Sequence, residues 1–299
     1  MKKATHTEER LRWCAYYRRH SRCFLNHLNK PSAKELSYVR SVNGPERHLI
    51  SVESVYRFPE EHIDRLLIDG FRTSSGQPDY SSLLIVMLMH YGGLRLSECF
   101  QIYVNDISID KKTRAALISV FHPSDGQAPE SGFKNRREYL STKYRLHPRN
   151  EYPRNHRLHS GWKHPLLTNR NLSLEVMFFP AQKAIKFTQI LQSFLSVRIS
   201  THHPFLFTNS YGNPESKKNF IQKYYRAVNR IGLQVSKSRG TTIHGHRHSY
   251  GYRLSNNGFN RIEIQKAMHH KSPDSCLVYI SPNDEELLSQ LRCAISHEK

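Results

Sequence analysis

The chain carries 45 lysines and arginines against 25 aspartates and glutamates in 299 residues, a formal net charge of +20 at pH 7. Such uncompensated charge points to a polyanion partner, DNA or RNA first, while the length fits one large or two ordinary domains. The longest greasy stretch, Leu83 to Met89, falls short of the roughly 18 apolar residues that a membrane helix needs, and no apolar segment follows the basic N-terminus as in a signal peptide, so a cytoplasmic protein is expected.

Five cysteines (Cys14, Cys23, Cys99, Cys276 and Cys293) form no C-x-x-C pair and read as reduced thiols without disulfides or zinc. His156, His159 and His164 lie close together, but no acidic or cysteine ligand sits among them, so no metal is expected there. No glycine-rich phosphate loop is present, and no nucleotide cofactor is implied.

In chain order, residues 9–28 read as a basic, partly amphipathic helix, and 29–57, with Pro31, Gly44 and Pro45, as a linker. A helix starts at Pro59-Glu60-Glu61, with acids in its first turn, and ends at Gly70. Residues 80–91 form a strongly apolar helix stopped by Gly92-Gly93. Residues 114–121 read as a strand, with 136–142 as its partner across a polar turn. The stretch 143–180, rich in Pro, Arg, His and Asn, reads as an insertion or surface loop. Helices follow at 181–197, 215–231, 246–257, 260–269 and 283–296, with a short buried strand from His203. The expected class is α+β, mainly helical, with one small antiparallel sheet.

Two short segments concentrate chemistry. Gly92-Gly-Leu-Arg-Leu-Ser-Glu98 places Arg95 beside Glu98, and Thr242-Ile-His-Gly-His-Arg-His-Ser-Tyr250 packs three histidines around Arg247. His269-His270 and then Tyr279 follow. Taken singly, Arg95 reads as a salt-bridge residue, the His/Arg cluster as polar surface, and Tyr279 as one of 16 tyrosines. Together they are the parts needed to break a phosphodiester with a protein nucleophile and no metal.

The order and spacing of these segments resemble the tyrosine recombinase, or phage integrase, family. Residues 92–99 look like that family's first arginine box, which implies a catalytic Arg95 supported by Glu98. Residues 242–254 resemble its His-x-x-Arg-His-Ser box, implying catalytic His244 and Arg247 with His248 in support. Ile264 to Ser272 is similar to the segment holding the third basic position, here His270, and Tyr279 falls where the family has its nucleophile. His246 stands where the family has an apolar residue, and His269 where it has glycine. The family's catalytic lysine sits in a β-hairpin turn. Lys134 is the choice here, with Lys111 and Lys112 as alternatives.

The resemblance implies an integrase-type catalytic domain over residues 55–299, with an insertion at about 143–180, after a shortened helical DNA-clamping segment over 1–54. It implies a site-specific recombinase that cuts and rejoins double-stranded DNA through a 3′-phosphotyrosyl link, without cofactor or metal, in a bacterial mobile element. Self-association on DNA as a tetramer through the C-terminal helix, and an accessory directionality protein, are implied with it. Three other readings stay open: a DNA-binding relative that has lost catalysis, a DNA-relaxing enzyme of the type IB topoisomerase kind, and a generic basic nucleic-acid-binding protein whose motif matches are chance.

Overall fold

The computed structural model describes residues 2–3, 10–11, 13–15, 38–39, 56–167 and 169–280. The chain divides into two units, Met1–Ser51 and Val52–Lys299. In the first, β1 (Lys2–Lys3) pairs antiparallel with β2 (Tyr38–Val39). Residues 10–11 and 13–15 are helical, and the remainder of the helix expected over 9–28 lies outside the described residues, as does the helix expected at 283–296.

The second unit is built around α1 (Tyr80–His90), in which every residue from Ser81 to His90 is buried. Its start is set by Asp79, whose carboxylate accepts the Ser82 N–H at 3.2 Å. Helices α4 (Gln182–Val197) and α6 (Ile243–Asn256) pack on it, which is why it is apolar on all sides. The short α2 (Leu96–Cys99) follows the glycine pair, and α5 (Lys217–Arg230) packs against the helical segment 60–70. The remaining helices are α7 (Arg261–Met268) and α8 (Leu277–Ile280).

The sheet has three antiparallel strands in the order β3 (Ile107–Ile109), β4 (Ala116–Phe121), β5 (Ser173–Glu175). Here the structure departs from the strand expected at 136–142. Those residues form the helix α3 (Arg136–Tyr144), and β4 pairs instead with β5 in the register Ser119↔Glu175 and Phe121↔Ser173. The cause is local. Asn135 caps the helix by accepting the Glu138 N–H at 3.0 Å, and the buried side chains Arg136, Tyr139 and Leu140 recur at helical spacing. The strand expected from His203 is reduced to single bridges, Tyr103↔Phe205 and Thr208↔Pro214, although Phe205, Leu206 and Phe207 are buried as expected.

The stretch between β4 and β5 is pinned to the domain by two buried arginines. Arg136 forks onto the buried carboxylate of Asp106 and lies over the Tyr103 and Phe121 rings. Arg149 donates to the carbonyls of Leu158, Phe100 and Glu215 at 3.0, 3.2 and 2.6 Å. Gln101 donates to the Ser160 carbonyl at 2.7 Å, and the Ser160 hydroxyl donates to the Ser97 carbonyl at 3.0 Å. The segment around Ser160 is therefore seated on α2, beside Arg95.

A polar chain crosses the core beneath α6. His246 is fully buried, stacked on Phe58 at 4.3 Å, with Nε2 2.9 Å from the Tyr224 hydroxyl and Nδ1 3.2 Å from His90 Nδ1. The tautomers follow from the ends inward. Tyr224 donates its hydroxyl hydrogen to the Thr241 carbonyl at 3.0 Å, so it accepts from His246 Nε2–H. Burial drives the pKa of both histidines down, so each ring is neutral. His246 Nδ1 must then accept from His90 Nδ1–H, which leaves His90 Nε2 to accept from Arg253 at 2.6 Å. Arg253 also pairs with Glu60 at 2.8 Å. Glu60 Oε2 also lies 3.3 Å from His90 Nε2, and Arg253 bridges the two.

Candidate active site

The two arginines of the motifs meet on one buried carboxylate. Glu98 is fully buried in the first turn of α2, where its Oε2 accepts the Arg95 backbone N–H at 2.7 Å and its Oε1 accepts from the Arg95 guanidinium at 2.8 Å. Arg247 Nη1 lies 3.9 Å from the other side of the same carboxylate. Arg247 also donates to the Gly93 carbonyl and, at 2.6 Å, to the Met268 carbonyl. Gly93 has φ +67°, and a Cβ there would meet the Tyr250 ring at 2.5 Å, so glycine is what lets this turn present its carbonyl to Arg247. Burial lowers the Arg247 pKa, and the Glu98 charge opposes that shift.

The start of α6 is set by close backbone packing. The Phe58 N–H donates to the Gly245 carbonyl at 3.1 Å, and a Cβ on Gly245 would stand 1.9 Å from the Gly240 carbonyl oxygen. His244 is thereby held at an exposed helix start, with its ring 4.4 Å from that of His248, one turn on. The histidine that touches Tyr279 is His248, not His244: its Nδ1 lies 3.1 Å from the Tyr279 hydroxyl.

Tyr279 is buried, 6% exposed, in a cluster with Tyr250, Leu254, Met268 and Cys276. Its ring stacks on His270 at 6.2 Å and meets Tyr252 edge-on at 5.7 Å. A Cβ at Gly251 would lie 2.9 Å from three atoms of the Tyr279 ring, so glycine at this turn of α6 makes room for the tyrosine. His270 in turn has Nδ1 3.2 Å from Cys276 Sγ.

The electrostatics are uniform. Burial, followed by the charges nearby, lowers the pKa of His248 and His270 to about 3; His244, exposed at its outer edge but desolvated by the protein around its ring and repelled by Arg247 and Lys163, is lowered to about 4. Burial pushes the Tyr279 phenol up to about 12, with Arg247 and Arg95 opposing. At neutral pH the site therefore holds a neutral phenol within hydrogen-bond reach of a neutral His248. The positive field of Arg95 and Arg247 is one that a phosphodiester anion would neutralise.

Lys163 carries its charge near His244. After burial and Arg247, its charge is the next cause of the lowered His244 pKa, ahead of Arg95. Lys163 lies between Trp162, which is buried in the main core, and Leu166, whose N–H donates to the His269 carbonyl at 3.2 Å. Lys134 is elsewhere: exposed, in the turn before α3, with its backbone N–H on Glu138 at 2.7 Å. Lys111 and Lys112 occupy the β3–β4 turn, where the N–H of Lys112 donates to Asp110 at 2.7 Å. Local pattern gives Lys163 no distinction, because its place depends on β5 and on the two arginine pins.

Among the described residues no group of three or more His, Cys, Asp or Glu is placed to hold a metal ion, and no helix is long and apolar enough to cross a membrane.

Residues 170–286 match the phage integrase family. No curated protein matches the chain. Among solved structures, the XerH site-specific recombinase bound to palindromic difH substrate, a post-cleavage complex, is similar with a TM-score of 0.55 and 15% identity over 85% of this chain and 59% of that one. XerA recombinase gives 0.50 and 17% over 80% of this chain and 64% of its own length. The Tn1549 transposon integrase in complex with circular intermediate DNA gives 0.51 and 15% over 96% of this chain and 78% of that one. The fold is that of tyrosine recombinase catalytic domains, mainly helical with a small antiparallel sheet. The segment matched to the phage integrase family includes the second box, His270 and Tyr279. It spans 64% of XerA and 59% of XerH.

Proposed function

We propose that the protein is a site-specific DNA recombinase that cuts and rejoins strands through a 3′-phosphotyrosyl intermediate. The observation that carries this reading is the Tyr279 hydroxyl 3.1 Å from a neutral His248, in a pocket whose two guanidiniums share the Glu98 carboxylate. Tyr279 attacks the scissile phosphorus as His248 takes its proton, so that the Tyr–O–P bond forms and the P–O5′ bond breaks. Lys163 supplies the proton to the departing 5′-oxygen, in place of Lys134. Arg95 and Arg247 hold the non-bridging oxygens, where removal of one such clamp costs about 3 kcal/mol of barrier. His244 and His270 offer further N–H donors to the same oxygens. The reverse attack by another strand's 5′-hydroxyl conserves the bond energy, so neither ATP nor a metal enters the reaction.

The excess of basic residues supports double-stranded DNA as the partner, with affinity falling steeply as salt rises. Assembly as a tetramer across two sites, an accessory directionality protein, and integration or excision of a bacterial mobile element belong to the same proposal. The XerH and Tn1549 integrase complexes with DNA support it by likeness of fold.

The test is cleavage of nicked duplex DNA from the flanks of the gene, in chelator, by the wild type and by Tyr279→Phe. A covalent protein–DNA adduct with the wild type alone is expected. Binding by both proteins with an adduct from neither leaves a DNA-binding module and removes the catalytic reading. Relaxation of plasmid without site preference favours a topoisomerase-like activity.

A further inference from the structure

His269 adopts φ +53°, the left-handed conformation that closes α7, where glycine fits without penalty and a histidine does not. What its side chain does explains its presence there. The imidazole is buried, and Nε2 lies 3.0 Å from the Glu175 carbonyl at the end of β5. The ring is neutral, its pKa lowered to about 4 chiefly by burial, so Nε2–H donates. The His269 carbonyl accepts the Leu166 N–H at 3.2 Å. Its two neighbours serve the site directly: the Met268 carbonyl takes Arg247 Nη2 at 2.6 Å, and the His270 ring stacks on Tyr279. One turn thus joins the end of β5, the segment carrying Lys163, the second arginine and the nucleophile.

From this junction we infer that His269 is a positioning residue. Its side-chain bond to the Glu175 carbonyl holds the α7 turn against the sheet, so that the Leu166 bond sets Lys163 at the leaving 5′-oxygen. The inference rests on the recombinase reading and adds to it a residue that acts chiefly on the proton-donor side of the reaction. Loss of the imidazole frees the 161–167 segment and misplaces the ammonium, whereas Arg95 and Tyr279 stay held by Glu98 and by the Gly251 cleft.

The experiment compares two cleavage substrates of the same sequence. One has the natural 5′-oxygen leaving group, and the other has sulfur at that bridging position, which departs as a thiolate without a proton. His269→Gly relieves the backbone and removes the link, so its melting temperature should equal or exceed the wild type's. Its cleavage should fall about 10- to 100-fold on the oxygen substrate and return to near wild type on the sulfur substrate, a part of the 10²–10⁴ that a general acid typically contributes. Lys163→Ala should show the same rescue more strongly. His269→Gln, which keeps an N–H at similar reach, should recover most of the oxygen-substrate rate. Equal defects of His269→Gly on both substrates, or no defect on oxygen, overturn the inference while leaving the recombinase reading intact. A wild type that forms no adduct on either substrate overturns both.

Discussion

The buried chain Arg253–His90–His246–Tyr224 invites replacement of its central member by leucine, since an apolar residue is expected at that place in the motif. In His246→Leu, the His90 Nδ1–H loses its acceptor and the Tyr224 oxygen loses a donor. A proton moved to His90 Nε2 would reach Glu60 Oε2 at 3.3 Å only by displacing the Arg253 N–H that donates to that nitrogen at 2.6 Å, so the rescue is partial. An unpaired buried polar group costs about 1–3 kcal/mol, part of which the leucine returns by apolar burial, leaving a net loss of about 1–2 kcal/mol at neutral pH. Acid reverses this. The His246 pKa is lowered on folding, so the unfolded chain takes up a proton that the folded one refuses, and stability falls as pH drops below the unfolded value of about 6.5. Between about pH 7.5 and 5.5 this costs the wild type about 1.4 kcal/mol at this position, and the leucine variant is spared it. The two stabilities should therefore converge near pH 5.5. Urea unfolding followed by circular dichroism at both pH values measures this. A gap that stays constant or widens in acid would refute the assignment of a neutral, buried His246.

Three further outcomes are expected. Gly251→Ala drives a methyl into the Tyr279 ring at 2.9 Å, so adduct formation should drop sharply while DNA affinity in a gel-shift assay stays near wild type; unchanged cleavage would show that the cleft is not needed. Lys163→Ala should lower the cleavage rate about 10²–10⁴-fold and Lys134→Ala should barely change it, and the opposite ranking would return the proton-donor role to Lys134. Asp106→Asn leaves the Arg136 guanidinium uncompensated with both side chains 1% exposed, which should destabilise the domain by about 3–5 kcal/mol in denaturant unfolding; a loss under about 1 kcal/mol would mean that the stretch between β4 and β5 does not depend on this pin.

Local signals carried the helices and the reactive motifs. The apolar run of 80–91, the glycine stops and the acid-led start at Glu60 are determined within a few residues, so their helices were legible in sequence. Arg95 with Glu98, and the second box, are likewise i,i+3 arrangements that a single helix turn displays. Three matters were decided only by tertiary contacts. β4 took its partner β5 from a stretch without strand pattern, while the locally capped 136–144 folded as a helix. The histidine at the Tyr279 hydroxyl is His248, because the ring positions depend on how α6 meets α8 around Gly251. The place of Lys163 is set by Trp162 in the core and by the Leu166 bond to the His269 turn, and by the β5 strand against which that turn lies. Periodicity and capping act over one or two turns and so are written in the local sequence. Which distant side chains stand beside one another depends on packing across the whole domain.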